Sequence, residues 1–440
     1  MPVYSSSKTD PEGPAFKVLS AKNPNRVTKK FAKNNVPPAG MPEQTTMAAL
    51  PSAAALPKPI SRVRKIALLL PLSGQRARLG RELLDSAQIA VFDRADGNFA
   101  ILPFDTKGTV DGAAVAASRA IEAGAELILG PLLASSVKPV RQVASNAGIS
   151  IVSFSNSRDV AGDGVFILGF VPRQQVEAII EYAVSKRIYR YAALAPDNGY
   201  GRAVVAALKE VVKFHQGVVV RVEFYDPVAT DLTRPTKAIA DYDRRHKALI
   251  EQRDALAARE DEVSRQALKR LEKLDTFGKV DYDAVLLPGS GQQLKAIASL
   301  LSYYDVDRPA VRLLGLSNWA QTANIESEPS LRRGWYAAPP AAERKHFLSR
   351  YREIYGRPPA AIASLAYDAT ALAIVLAQSH QRDHFSKAHL IQSHGFLGVD
   401  GLFRLRDEGA AERVFEIREV NRNGFAIRRA AQTAFPLAGR

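Results

Sequence analysis

From residue 64 onward, short apolar runs alternate with helix-length segments whose apolar positions recur every three or four residues, the pattern of parallel strands joined by helical crossovers. IALLL at 66–70, FAILPF at 99–104, ELILG at 126–130 and ISIVSF at 149–154 read as buried strands. The intervening segments predict helices over 81–94, 110–123 and 135–146. After GVFILGFVPR a second series begins, with helices over 174–185 and 201–214 and strands at YRYAALAP and GVVVRVEFYD. YDAVLLPGS, a helix over 292–303 and VRLLGLSNW extend it. Helices then follow over 342–355 and 360–379, and the alternation around the RDEG and NRNG turns predicts antiparallel strands at the end. Two similar α/β lobes, each a doubly wound parallel sheet, are the economical reading.

Two stretches depart from this texture. Residues 233–275 hold 11 basic and 9 acidic side chains, no glycine and one proline, which predicts one or two exposed helices with a narrow apolar seam. Such an insertion reads either as a solvated, ion-paired surface or as an arm that docks a partner, and its deletion is expected to leave the fold intact. Residues 1–65 hold 11 Lys or Arg against 3 Asp or Glu, and 10 of the 26 prolines, so most of the net charge of +15 sits in a segment whose composition predicts a disordered tether. Its start, MPVYSSSKTD, lacks the apolar core of a secretory signal. The chain is then either cytosolic or exported by a segment outside this sequence.

Composition narrows the chemistry. The 440 residues contain no cysteine, which excludes disulfides, thiolate metal sites and cysteine nucleophiles, and no apolar run approaches the ~20 residues of a spanning helix. The basic tail carries few aromatics and the remainder shows no nucleic-acid module, so no nucleic-acid partner is expected. Ser135-Ser136-Val137-Lys138 matches the S-x-x-K nucleophile motif, but S-D-N and K-T-G are absent and Pro139 follows directly, so no catalytic residue is assigned. His380, His384, His389 and His394 cluster in a polar segment, where exposure is the expected state; neither a metal nor another cofactor is assigned.

In doubly wound sheets, ligands sit beyond the carboxyl ends of the strands. Ser73, Ser135, Ser136, Ser153, Ser155, Asn156 and Tyr200 fall at such ends and are candidates for a polar cleft, with Ser135 and Ser136 offering donors to a carboxylate and Tyr200 a stacking face. The competing reading is that the serines and asparagine only cap helices and fix turns.

IALLLPLSG, GPLLASSV followed by SIVSFSNS, and PDNGYGRA opening a helix, in that order, resemble the type I periplasmic binding proteins of the branched-chain amino-acid receptor group. YYDVDRPAVRLLGLSNW, LRRGWYAAPP, ASLAYDATALA and GFLGVDGLFRL are most similar to the penicillin-binding protein activators of the LpoA/LppC type within that group. The resemblance implies a bilobed fold with lobes joined by crossover strands: a first lobe from 65–171 and 340–397, a second from 172–339 and 398–432 with a helical insertion over 231–277, and a tether over 1–64. It implies a non-catalytic periplasmic regulator, associated with the outer membrane only through that tether, whose protein partner is a class A penicillin-binding protein. The alternative is a substrate-binding protein of an ABC transporter for amino acids or related small polar solutes. By the same resemblance, receptors of this group place an acidic residue just after the strand corresponding to RLLG, to pair with the ligand's ammonium. Leu316-Ser317-Asn318 stands there instead, so Asn318 joins the candidate residues and amino-acid binding is disfavoured.

Overall fold

The computed structural model describes residues 63–259, 261–306, 309–379 and 383–435. The expected tether, apart from its last two residues, lies outside them, as does His380. Strands β1 (Arg64–Leu70), β2 (Phe99–Asp105), β3 (Leu127–Leu129), β4 (Ile151–Ser153) and β5 (Val165–Ile167) form a five-stranded parallel sheet in the order β2-β1-β3-β4-β5. Helix α1 (Ala77–Arg94) covers one face of this sheet. Helices α2 (Val110–Glu122) and α3 (Ala134–Asn146) cover the other, packing Ala113, Ala117, Val137 and Val140 against Ala67, Leu69 and Ile128. Small residues along α2 let that helix lie close to the sheet.

The chain then crosses into the second lobe. Helix α4 (Pro172–Ser185) leads to β6 (Arg190–Pro196), α5 (Gly199–Phe214) and β7 (Val218–Tyr225). The charged insertion follows as α6 (Thr233–Ile239), α7 (Tyr242–Ala257) and α8 (Glu262–Leu271), before β8 (Ala284–Leu286), α9 (Gly291–Tyr303), β9 (Arg312–Gly315) and β10 (Trp335–Ala338). In the first lobe again, α10 (Ala341–Tyr355) packs outside α1, and α11 (Ser364–Ala377) shares with α1 the face of the first sheet. α12 (Lys387–Leu390) precedes a small antiparallel sheet of β11 (Phe396–Gly398), β12 (Gly401–Leu405) and β13 (Ala411–Arg413). Finally β14 (Glu416–Asn421) and β15 (Gly424–Arg429) complete a seven-stranded sheet, β15-β14-β10-β9-β8-β6-β7, in which β14 alone runs opposite to the other strands. No helix among the described residues is long and apolar enough to cross a membrane.

Three expectations need correction. The return to the second lobe comes at 414–415 and not at 398, because Phe396, Phe403, Leu405 and Ala411 bury in the first lobe's core. The insertion is not a free arm: Ile239, Thr236, Leu249 and Arg245 are buried, so α6 and the root of α7 belong to the second core and removing 233–275 would open it. His384 is buried rather than exposed. Its Nδ1 donates to the Leu376 carbonyl and its Nε2 accepts from Arg64, which ties the end of α11 to the start of β1.

Arg245 fixes the insertion. Its guanidinium donates to the carbonyls of Ala240, Tyr304, Gly278 and Asp305 at 3.2, 2.8, 3.0 and 3.4 Å. Arg245→Met leaves those acceptors without a charged donor and is expected to destabilise the protein by about 2–4 kcal/mol in urea denaturation; a loss under about 1 kcal/mol would show that the apolar seam alone holds the insertion.

A second buried network spans α11, the small sheet and the lobe crossing. Asp368 accepts from the Val399 amide at 2.7 Å and faces Arg413 at 3.9 Å, while Asp400 accepts from Ser364 Oγ at 2.7 Å and from Arg344. Burial, then the Asp400 charge, push the Asp368 carboxyl well above the usual carboxylate range, against the opposing pull of Arg413. A carboxyl raised on folding holds its proton more tightly folded than unfolded, so its share of stability is complete below the ordinary aspartate value of about 4 and is lost as pH rises through the raised value. Thermal denaturation from acid to neutral pH should therefore show the wild type losing stability relative to Asp368→Asn; parallel profiles would refute this titration.

Candidate functional site

The carboxyl ends of both parallel sheets point toward the space between the lobes, and a cavity of about 300 Å³ lies there. From the first lobe it is lined by Arg76, Leu79, Leu132, Leu133, Phe154, Asn156, Ile362 and Leu365. The crossing segment supplies Gly169 and Phe170, and the second lobe Gln175, Tyr200, Ser317, Asn318 and Gln321. A neighbouring cavity of about 400 Å³ shares Phe170, Ser317, Gln321 and Ile362 and continues past Pro339, Arg344 and Arg418. The two form one groove.

Local chemistry sets each lining side chain. Asn198 caps α5, its Oδ1 accepting from the Gly201 amide at 2.9 Å, and a Cβ at Gly201 would lie 1.9 Å from the Pro196 carbonyl. Only glycine permits the turn that presents Tyr200. The Tyr200 hydroxyl is buried without a hydrogen-bond partner among the described residues, and burial pushes its phenol up. Gln175, buried on α4, accepts the Ser317 amide at 3.0 Å, while Asn318 donates to the Pro288 carbonyl at 3.1 Å. Gly315 leaves room for the Trp319 ring, whose Nε1 donates to the Leu287 carbonyl at 2.8 Å. These bonds hold the loop after β9 rigid.

Asn156, Tyr200 and Asn318 are therefore in the cavity wall; the five serines are not. Ser73 Oγ donates to Asp105 at 2.6 Å, and the same carboxylate accepts the amides of Leu72, Ser73 and Lys107. Partial burial would raise Asp105, but these donors outweigh it and hold the carboxyl below its usual range. Ser136 Oγ donates to the Thr109 carbonyl, and Ser153 Oγ donates to the Pro131 carbonyl while accepting the Ser155 amide. Ser155 Oγ in turn accepts the Ser157 amide at 3.2 Å, and Ser135 is exposed on the first turn of α3 beyond the lining. Turn-fixing is thus the role observed for Ser73, Ser136, Ser153 and Ser155. Arg76, Gln175 and Gln321 went unnoticed in the sequence, since nothing in local pattern distinguishes a cleft arginine or glutamine from a surface one. Among the described residues no group of His, Asp and Glu is arranged to hold a metal ion.

A bilobed α/β fold with an interlobe groove at the carboxyl ends of its sheets defines a binding-protein class, and residues 64–424 match the family described as periplasmic binding protein. The chain belongs to that family. Its fold resembles the branched-chain amino acid transporter substrate-binding protein LivJ of Streptococcus pneumoniae, solved in complex with isoleucine: TM-score 0.55, 19% identity, 84% of this chain and 100% of that one. A putative branched-chain amino acid ABC transporter protein of Rhodospirillum rubrum gives TM-score 0.62 at 16% identity, covering 83% of this chain and 99% of that one. A solute-binding protein of Rhodopseudomonas palustris, in complex with 3,4-dihydroxy benzoic acid, gives 0.56 at 14%, covering 85% and 98%. An uncharacterised protein of Rickettsia prowazekii is 25% identical over 163 residues, which are 37% of this chain; the match spans only 43% of that relative's length.

A buried hydroxyl without a partner carries a desolvation penalty that its deletion removes. Tyr200→Phe is expected to stabilise the ligand-free protein by about 1 kcal/mol in urea denaturation; destabilisation would show that the hydroxyl has found a hydrogen-bond partner.

Proposed function

We propose that this chain is a non-catalytic, periplasmic solute-binding protein whose interlobe groove captures a small solute of the kind delivered to ABC importers. The observation that carries the reading is the groove itself, an apolar-walled cavity at the carboxyl ends of both sheets, reached by the Arg76 side chain. The similar solved proteins that hold isoleucine and 3,4-dihydroxy benzoic acid support it at the level of fold. The finer reading suggested by motif resemblance, activation of a class A penicillin-binding protein, has one observation in its favour: α7 and α8 carry Ile250 and Val263 exposed at 46% and 78%.

Isothermal titration of the full chain with amino acids and small carboxylic acids, beside a binding assay with purified class A synthases, separates the two. The solute reading expects micromolar binding of at least one solute and no effect on glycan polymerisation. Silence across the solutes, with synthase stimulation lost in an Ile250→Asp/Val263→Asp variant, would overturn it in favour of the activator.

A further inference from the structure

Electrostatic accounting within the groove narrows what it takes. Three arginines line it, and two are already matched: Arg344 pairs with Asp400, and Arg418 donates to Glu416 at 2.5 Å. Arg76, exposed beside the start of α1, has no side-chain partner among the described residues. Among those residues, no carboxylate lines either cavity, and Asp105, at the end of β2, is saturated by its four donors. The smaller cavity therefore offers one free positive charge and no countercharge for an ammonium. Leu79, Leu132, Leu133, Phe154, Phe170 and Ile362 supply apolar walls.

Resting on the solute-binding reading, we infer that the groove selects an amine-free monocarboxylate with an apolar body, its carboxylate held by Arg76. One guanidinium matches one carboxylate through charge-assisted hydrogen bonds. A zwitterion of the same shape would bring its ammonium into a groove lined by an arginine and by no carboxylate to meet it. A multiply charged anion would leave charge unpaired for the same reason.

The test titrates the full chain with three isosteric probes, 3-phenylpropanoate, 3-phenylpropanamide and phenylalanine, and with the aliphatic set 4-methylpentanoate, 4-methylpentanamide and leucine. In at least one set the acid is expected to bind at micromolar concentration, and the amino acid at least ~100-fold more weakly. Arg76→Gln should weaken the acid at least ~10-fold while leaving the amide's affinity and the melting temperature unchanged, which a merely structural role would not do. Amino acids binding as tightly as the acids, or amides binding equally well, would overturn the inference while leaving solute binding standing. If no probe of either set binds while another amino acid or small carboxylic acid does, the inference alone falls; silence across every one of those solutes takes the solute reading with it.

Discussion

The molecule depends on how its chain passes between two sheets. It crosses at 168–171, at 339–340 and at 414–415, and each crossing is tied by buried polar side chains. Arg413 donates twice to the Leu168 carbonyl, at 3.2 and 3.0 Å, and lies over the Phe170 and Phe403 rings. Gln174 donates to the Ala411 carbonyl and accepts the Arg413 amide, while Arg418 donates to the Pro339 carbonyl. Arg413 is buried at the crossing, so its charge needs Asp368 and Asp400 close by. That ion network couples the first lobe's core to the place where the lobes join. Any change in interlobe angle is confined to torsions within these few residues, two of which are prolines of fixed φ.

The groove follows from this connectivity. Parallel strands deliver their carboxyl ends to one side of each lobe, and crossings beside those ends bring the two sides face to face. Most polar groups at the strand ends are then consumed locally. Asp105 occupies the amide donors of its own turn, and Ser153 and Ser155 close theirs, so these side chains are spent on turns and none of them lines the groove. Among the described residues that line the groove, Arg76 keeps a positive charge without a side-chain partner. The groove's lining thus comes from both lobes and not from a single motif.

The two-lobed order of strands and helices was legible because burial on both faces of a parallel sheet demands continuous apolar runs, and helices covering it demand a period of 3.6. Asn156 and Tyr200 could be placed at the groove from their positions at the ends of predicted strands, whereas Asn318 entered only through the family resemblance. The misplaced return at 398 shows the limit: β12 and β13 have ordinary strand periodicity, and period alone does not say which sheet they join. His384 shows another. A polar segment hid a side chain whose two ring nitrogens are satisfied by Leu376 and by Arg64, the latter 320 positions away.

The amino-acid sequence by itself determined the elements, their order and the absence of thiol chemistry, because these rest on local propensity, spacing and residue type. Tertiary structure alone decided which serines are spent, which arginine is left unpaired and where the chain changes lobes. Those outcomes depend on hydrogen bonds and charge pairs between residues far apart along the chain, and no local pattern carries that information.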